Sequence, residues 1–349
     1  MGNTDLVEID GSIGYGQVVR TAVALSALTL KPIRIFNIRK GRPKPGLMAQ
    51  HLAGVKIAAE FCSADVNGLS VGSTEIEFIP KEANIPSYKK IDIGTAGSIG
   101  LLLQTLTPIC IFADKEVELD IIGGVAGLGA PPIEYLKHVT FPILAKFSVP
   151  QPEIEIVKQG FYPRGGGHVK IKFYPVEKLK AIELTERGEV KSIYGVSVVG
   201  KLPTHVAERQ AKAAEEYLRR KGFDAKIERQ TTQTFSAGTS ITLWAECEHA
   251  ILGSDALGER GKPAERVGEE AAKELVASIE SGAALDKHMS DQILPFIALA
   301  EGESKVTVEK ITEHCRTNMR VIEKLLPVKV SIDAQGMAIA VEGIDFKII

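Results

Sequence analysis

Gly14-Tyr15-Gly16-Gln17 precedes an apolar helical pattern, VVRTAVALSALTL, and a strand-like run, PIRIFNI. A similar order of polar loop, glutamine, apolar helix and β-rich run occurs again around Gln104 and around Gln292. In all three places a second helical pattern and then alternating strand patterns come next. We therefore predict three similar α/β units. The alternative is that such glutamine–helix coincidences arise in any α/β chain.

The spacing of the three glutamines predicts where the chain carries an insertion. Gln17 and Gln104 lie about 87 residues apart, which is close to the size of a small domain. Gln104 and Gln292 lie about twice as far apart, and the extra stretch has its own strand–helix–strand–strand pattern. The predicted domains are a repeat domain of residues 1–187 and 279–349 and an inserted small α/β domain of residues 188–278.

The composition is that of a soluble globular protein. The 349 residues carry a formal charge of −2, with 44% apolar and 25% charged residues, which argues against disorder and against a uniformly basic nucleic-acid coat. No apolar run approaches the roughly 20 residues of a spanning helix. The segment Met1–Asp5 lacks the start of a secretory signal, and the four cysteines have no CxxC spacing. A cytoplasmic protein without a membrane partner is predicted.

A basic segment between a predicted strand and a predicted helix is the first candidate site. It contains Arg39 and Arg42 within a turn rich in proline and glycine, and no acid occurs between Lys31 and Ala59. The stiff backbone can hold both guanidinium groups in fixed directions, which suits phosphate oxygens. Arg20, three residues after Gln17, adds to the predicted phosphate site. The alternative is a solvated basic turn.

His314 is the second candidate. Thr312 is placed to cap a helix whose first turn contains His314, so the helix dipole favours a neutral, nucleophilic imidazole. Asn318, one turn further on, is expected to orient that ring. The alternative is a surface or structural histidine. The remaining histidines show no spacing typical of a zinc site.

Three further segments have weaker signals. Two glycine-rich loops, around Gly14 and around Gly97, precede apolar helices and could bind anions, although a tight turn is the simpler interpretation. Asp291-Gln292 offers a carboxylate and an amide for a hard cation or a ribose, or caps a helix. The run from Gly160 to His168 fits a hairpin turn whose aromatic residues and Arg164 could border a nucleic-acid strand.

These segments together resemble the RNA 3′-terminal phosphate cyclases. The resemblance extends in order across nearly the whole chain, so it is specific although each piece is weak. The stretches that carry it are DGSIGYGQVVRTAVALS, RKGRPKPGLMAQHL, GTAGSIGLLLQTLTP, APP at Ala130 to Pro132, GFYPRGGG, LGERGKPAERVG, HMSDQILP and HCRTN.

The resemblance implies a fold and a reaction. The fold is three βαβα-type units like the C-terminal domain of translation initiation factor three, with a smaller inserted domain. The reaction uses ATP and Mg²⁺ or Mn²⁺: a histidine takes up AMP, passes it to an RNA 3′-phosphate, and the neighbouring 2′-hydroxyl displaces it to form a 2′,3′-cyclic phosphate. The implied partner is RNA with a 3′-phosphate end, and a homodimer stays open.

The resemblance also implies roles for individual residues. His314 matches the nucleophile that is adenylated. Arg20, Arg39, Arg42 and Gln50 match phosphate-contacting positions. Gln104, Asp291 and Gln292 match positions of the nucleotide site. Pro131 matches a residue that borders the adenine, and His288 stands where the family often has an aromatic residue stacked on the adenine. The metal ligands are unknown, and Asp291 is the candidate among these residues.

Two departures from the family pattern concern the metal and the RNA end. The family's first loop, Gly-Glu-Gly-Gly-Gly-Gln, is shortened here to Gly14-Tyr15-Gly16-Gln17, so the glutamate expected at the metal has no equivalent. Its Gly-Gly-Thr-Asp is replaced by Gly123-Gly124-Val125-Ala126. A noncatalytic RNA-binding ribosome-assembly factor of the same fold is therefore the alternative function. An enolpyruvyl-type transferase is a third hypothesis that rests on shared architecture alone.

Overall fold

A computed structural model of the chain describes residues 6–333, 335 and 337–347. The segment Met1–Asp5, on which the prediction of no secretory signal rests, lies outside these residues. The described chain is α/β, and each of four regions combines a four-stranded mixed sheet with helices. The predicted fold class is therefore confirmed.

The first unit sets the strand order. Its strands lie in the order β1-β2-β4-β3, with β1 parallel to β2 and the remaining pairs antiparallel. Helix α1 contacts helices of all three units, which explains why it is apolar nearly all round. The elements are β1 (Val7–Asp10), α1 (Gly16–Thr29), β2 (Ile33–Phe36), α2 (Ala49–Phe61), β3 (Asp65–Asn67) and β4 (Ile76–Ile79).

The second unit repeats that order as β5-β6-β8-β7. Ser98 caps its first helix by accepting a hydrogen bond from the Leu101 N–H at 3.1 Å. Its second helical stretch combines α, π and 3₁₀ turns. The elements are β5 (Tyr88–Asp92), α3 (Ile99–Ile111), β6 (Val117–Gly123), α4 (Ile133–Tyr135), a π-helix (Leu136–Thr140), α5 (Phe141–Leu144), a 3₁₀ turn (Ala145–Phe147), β7 (Glu153–Lys158) and β8 (Gly167–Phe173).

A short strand, β9 (Glu183–Leu184), is followed by a segment with its own sheet and its own apolar cluster. Its strand order is β11-β10-β12-β13, and two long helices pack on one sheet face. The elements are β10 (Val190–Gly200), α6 (His205–Arg220), β11 (Ala225–Thr232), β12 (Gly238–Cys247), β13 (Ile251–Leu257) and α7 (Ala264–Glu280). The boundaries of the inserted domain, residues 188–278, stay a prediction.

The third unit is interrupted by the segment from β10 to α7, which is called the insert below. Strand β9 pairs in parallel with β14, so the order β9-β14-β16-β15 matches that of the first two units. The segment from β10 to α7 therefore interrupts this unit between its first strand and its first helix. The remaining elements are α8 (Met289–Gln292), α9 (Leu294–Leu299), β14 (Glu301–Thr307), α10 (Glu313–Leu325), β15 (Val330–Ile332) and β16 (Ala338–Ile344).

One large apolar core joins the three units, and the insert adds the smaller one. Helices α1, α2, α3 and α10 pack against one another at the centre. The four cysteines are free thiols, three of them buried. Among the described residues no helix is both long and apolar enough to cross a membrane.

Candidate functional site

Seven of the predicted site residues line one cavity of about 620 Å³. Its wall draws on all three units and on the end of the inserted sheet, because α1, α3, the loop before α4, α7, α8 and α10 converge there. The predicted residues among its lining are Arg20, Gln104, Pro131, His288, Asp291, Gln292 and His314.

The three glutamines of the internal repeat meet beside this cavity. Gln17, Gln104 and Gln292 all line a small adjoining space of about 40 Å³. The Gln17 amide donates to the Asp291 carboxylate, and the Gln292 amide donates to the His288 carbonyl at 3.0 Å. Each unit thus supplies one glutamine to the same place, which is the structural meaning of the sequence repeat.

His314 is the second residue of α10. Thr312 caps this helix by accepting a hydrogen bond from the Cys315 N–H at 3.1 Å. The half-buried imidazole of His314 makes no hydrogen bond within the described residues. Burial and the charges of Arg20, Arg42 and His288 lower its pKa, so the ring is neutral at pH 7. A neutral, unpartnered imidazole on a cavity wall is suited to nucleophilic attack.

Arg20 supplies an unsatisfied cation to the same wall. Its buried Nε has no hydrogen-bond partner among the residues the structure describes. Burial lowers the pKa of Arg20 to about 10, and the charge of Asp291 opposes that shift. A guanidinium that is desolvated but unpaired gains most from an incoming anion, so this position fits a phosphate.

Asp291 is held by the elements around it. Burial raises the pKa of Asp291 to about 6, although Arg20, His288 and the Gln17 amide all favour its charged form. The Asn318 amide donates to the Asp291 carbonyl at 3.0 Å, and Thr21 donates to Asn318 at 2.8 Å. The expectation that Asn318 orients His314 is therefore wrong, because its side chain is used to join α1, α8 and α10.

Tyr15 links the basic segment to His314. The Arg42 guanidinium carbon lies 3.8 Å from the centre of the Tyr15 ring, and that ring meets the imidazole edge-on at 6.0 Å and 79°. Tyr15 has φ 56° and ψ −133°, a backbone conformation that residues other than glycine rarely adopt. The departure of this loop from the family pattern is the one feature of the sequence that points to Tyr15, and it does not predict the contact with His314.

The other predicted phosphate-contacting residues lie away from the cavity lining. Arg39 donates from Nη1 to the Gly46 carbonyl at 2.6 Å, which fixes its direction within the basic turn. Gln50 is half-buried and packs beside Gly97. Arg42 reaches the site through Tyr15. Their phosphate contacts stay predictions.

His51 is not among the predicted site residues, although the charges of Arg20 and Arg39 act on it. It is 6% exposed, and its Nδ1 accepts a hydrogen bond from the Met48 N–H at 3.1 Å. Burial and the charges of Arg20 and Arg39 lower its pKa to about 3, so it is neutral. Its ring packs on Gly16, where an added Cβ would lie 2.1 Å from Nε2.

The part of the cavity lining that contains Tyr135 and His288 packs against Asp286, which is fully buried. The Asp286 carboxylate accepts hydrogen bonds from the Tyr135 hydroxyl at 2.7 Å and from the backbone N–H groups of Gly253 and His288, each at 2.9 Å. His288 Nε2 lies 2.7 Å from a Glu274 oxygen. Burial alone would lower the pKa of His288, but Glu274, Asp286 and Asp255 raise it to about 9.

Asp255 is a second residue that sequence reasoning missed. It lies near the end of β13 and lines the cavity, and its carboxylate makes no hydrogen bond or ion pair within the described residues. Burial raises its pKa to about 6, with opposing and reinforcing charges from His288 and Glu274. A single acid in the otherwise apolar and small run ILGSDAL is the signal that could have identified it.

The comparisons with known proteins agree with the resemblance. A family model for RNA 3′-terminal phosphate cyclase matches residues 12–332. A curated RNA 3′-terminal phosphate cyclase from Ignicoccus hospitalis is 47% identical over 330 residues, covering 92% of this chain and 93% of that protein. The protein of that name from Methanopyrus kandleri is 48% identical over 336 residues, covering 94% and 95%.

One solved structure is similar in outline. The enolpyruvyl transferase NikO from Streptomyces tendae matches with a TM-score of 0.42 and 11% identity, over 99% of this chain and 49% of that one. The family match and the curated relatives are far closer and cover most of each chain. The chain belongs to the RNA 3′-terminal phosphate cyclase family, which is a family of enzymes.

Proposed function

We propose that the protein converts an RNA 3′-terminal phosphate to a 2′,3′-cyclic phosphate with ATP, through a covalent histidine–AMP intermediate. Relatives named for this activity are 44–48% identical over most of the chain. One observation carries the mechanism. His314, neutral in the first turn of α10, and Arg20, whose guanidinium has no partner within the described chain, line the same cavity.

The proposed reaction has three steps. An imidazole nitrogen of His314 bonds to the α-phosphorus of ATP and the bond to pyrophosphate breaks, leaving a protein–AMP phosphoramidate. An oxygen of the RNA 3′-phosphate then takes the AMP from His314. Finally the 2′-hydroxyl attacks the 3′-phosphorus, loses its proton and releases AMP. The dipole of α10 and the charge of Arg20 would offset negative charge in the first transfer.

The other predicted residues have supporting roles in this proposal. Pro131 and His288 would border the adenine, and the positive charge of His288 favours stacking on an electron-rich ring. Gln104, Asp291 and Gln292 would contact the nucleotide, and Arg39, Arg42 and Gln50 phosphates. Asp255, with no partner within the described chain, is able to accept a hydrogen bond from a ribose hydroxyl or an adenine amine.

The divalent ion, Mg²⁺ or Mn²⁺, does not fit a resident site on this chain. Among the described residues no group of three or more His, Cys, Asp or Glu side chains could hold a metal. Arg20, Arg42 and Tyr15 surround His314, and Asp291 already accepts from Gln17. We propose that the ion arrives as the metal complex of ATP, as part of the substrate.

The remaining finer predictions belong to the same proposal. The cytoplasm is the proposed location, and RNA with a 3′-phosphate end is the proposed partner. No specific contact favours the alternative of a noncatalytic RNA-binding factor. The chain also retains His314, the proposed nucleophile.

Incubation with α-labelled ATP tests the proposal. Native protein should form a labelled adduct that is labile in acid and stable in alkali, and should convert a 3′-phosphorylated oligonucleotide to the cyclic phosphate. His314→Ala should reduce both to background, a loss on the order of 10⁴-fold or more for a nucleophile.

His205→Ala is the matched control, because His205 is also in the first turn of a helix but is exposed on the insert. It should react like the native protein. An adduct that persists in His314→Ala would overturn the mechanism. RNA binding without any conversion by the native protein would instead favour the noncatalytic factor.

A further inference from the structure

A group of cations and aromatic rings lies where the insert meets the second unit. Lys158 ends β7, Tyr162 and Arg164 lie in the turn before β8, and Lys201 and Phe235 lie in loops of the insert. We call these five residues the junction patch. None of them lines the cavity that contains His314.

All three cations of the patch contact Phe235. The Lys158 ammonium lies 3.7 Å from the centre of its ring and the Arg164 guanidinium carbon 5.3 Å from it. Lys201 donates to the Phe235 carbonyl at 3.3 Å. Within the described chain, none of the three cations forms an ion pair with a carboxylate, so their charges are available to an anion from solution.

Tyr162 provides an open aromatic face beside these charges. Its side chain is 80% exposed, whereas Phe235 is 45% exposed and is partly covered by Lys158. Exposed aromatic rings next to unpaired cations are the combination that single-stranded nucleic acids recognise, since bases stack on the ring and phosphates meet the cations.

The turn that carries Tyr162 and Arg164 is joined to a loop of the cavity lining. The Val125 N–H donates to the Gly160 carbonyl at 3.0 Å, and Gly165 lies against the backbone of Thr95 and Ala96. The loop that begins at Val125 continues into Gly127–Gly129, which lines the cavity. A strand whose 3′ end enters the cavity can therefore cross this loop onto the patch.

We infer that the junction patch binds the single-stranded RNA upstream of the reacting 3′ end, with a base on Tyr162 and backbone phosphates on Lys158, Arg164 and Lys201. The inference rests on the proposed function, which supplies the RNA end. It adds a second contact region that makes longer substrates bind better than short ones.

Binding of fluorescein-labelled single-stranded RNA of about ten nucleotides, within the roughly 4–16 typical of such sites, tests the inference without turnover. The RNA ends in a 3′-hydroxyl, so it cannot be cyclised. Tyr162→Ala should raise the Kd about tenfold, as expected for one lost stacking contact. Lys158→Ala and Arg164→Ala should each reduce the slope of log K against log salt by about 0.7.

Two variants serve as controls. Tyr162→Phe keeps the ring and should bind like the native protein. Arg220→Ala removes a cation that lies 5.6 Å from the Tyr217 ring elsewhere on the insert, so it matches the loss of charge without touching the patch. Conversion of a 3′-phosphorylated dinucleotide should be the same in all patch variants, while KM for a longer RNA rises in Tyr162→Ala.

The outcomes separate the two proposals. Native-like affinity and salt slope in the patch variants would overturn the inference even if the protein is an active cyclase. Binding that is lost in the variants while the native protein cyclises nothing would leave the patch standing and the proposed function refuted. Equal binding of duplex and single-stranded RNA would overturn the stacking role of Tyr162.

Discussion

His314 and His288 line the same cavity, yet at pH 7 the His314 ring is neutral and the His288 ring is positively charged. Burial lowers the pKa of both rings. Around His314 the nearby charges of Arg20 and Arg42 lower the pKa further, whereas around His288 the carboxylate of Glu274 raises it to about 9. The identity of the neighbouring side chains, rather than depth of burial, therefore decides the protonation state.

The difference suits two tasks within one reaction. A neutral imidazole has a free lone pair for attack on phosphorus, and an unpaired arginine beside it gains from a phosphate. A fixed imidazolium, in contrast, cannot attack phosphorus but can stack on an electron-rich base. Exchanging the neighbours of the two histidines should therefore exchange or erase these properties.

Removal of Arg20 should have the largest effect on this contrast. Arg20→Ala should slow formation of the labelled protein adduct by about 10²–10³-fold, the range for loss of one donor to developing charge. Because Arg20 is one cause of the low pKa of His314, that pKa should also rise. Single-turnover rates and a titration of the His314 resonance measure both effects.

Arg20→Lys separates charge from geometry. A lysine restores the positive charge without the planar fork, so it should recover part of the rate and most of the pKa shift. An unchanged rate in Arg20→Ala would remove Arg20 from the proposed phosphate site.

The pH dependence of adduct formation should show the next largest effect. The pKa of His314 lies below its ordinary 6.5, so more than half of the rings are neutral at pH 6.5 and the midpoint of protonation lies at lower pH. Asp291, whose pKa is raised to about 6, loses its negative charge in the same range. The rate should change little from pH 8 to 7 and then fall as the pH is lowered through 6, by up to about tenfold per pH unit for each group that the step requires in its deprotonated form. A midpoint above 6.5 would contradict a depressed His314.

Glu274→Gln tests the surroundings of His288. Loss of the carboxylate should lower the pKa of His288 from about 9, although Asp286 and Asp255 still raise it, so a smaller fraction of the rings is charged at pH 7.5. KM for ATP should then rise several-fold with little change in kcat, as for a lost cation–ring contact of about 0.5–2 kcal/mol. At pH 6 the protonated His288 returns and the defect should shrink.

Glu265→Gln is the matched control for that change. Glu265 lies on the same helix, α7, but pairs with Arg209 on the surface of the insert. It should leave KM unchanged at both pH values. A KM defect in Glu274→Gln that is the same at pH 6 and pH 7.5 would show that the charge of His288 is not what matters.

The sequence predicted one part of the cavity lining better than another. Arg20 lies on a helix three residues after Gln17, and His314 follows the cap of another helix. Both therefore belong to local patterns that a short stretch of sequence shows. The contact of Tyr135 with Asp286 joins residues 151 positions apart, and Asp255 comes from the insert. This part of the lining depends on how the units pack against one another. The hydrophobic periodicity of the sequence carries no information on that packing.

The same limit holds for the fold. Helix order and spacing predicted three α/β units, because each helix carries its apolar pattern locally. Strand β9 has only two residues, Glu183–Leu184, and its partner β14 lies beyond the insert. Its pairing completes the strand order of the third unit, but a two-residue strand has no alternating pattern to detect. The boundaries 188–278 therefore rest on the spacing of the glutamines and on the strand–helix–strand–strand pattern between them, and they stay a prediction.

Substitution of Tyr15 should give the smallest effect and the sharpest test of the surroundings of His314. Tyr15→Phe keeps the ring between Arg42 and His314, so adduct formation should match the native rate. Tyr15→Leu removes the ring and should slow it about 2–5-fold, the equivalent of an exposed cation–ring contact of about 0.5–1 kcal/mol. Single-turnover rates at pH 7.5 measure the difference.

Tyr15→Gly then separates the ring from the backbone. Glycine adopts φ 56° without strain, and a side chain held in such a conformation costs about 1–3 kcal/mol. This variant should therefore melt at or above the native temperature and still react as slowly as Tyr15→Leu. Stability and rate moving in opposite directions would mean that the strain at Tyr15 is maintained for its contact with His314. A native rate in Tyr15→Leu would show instead that the ring only fills the shortened loop.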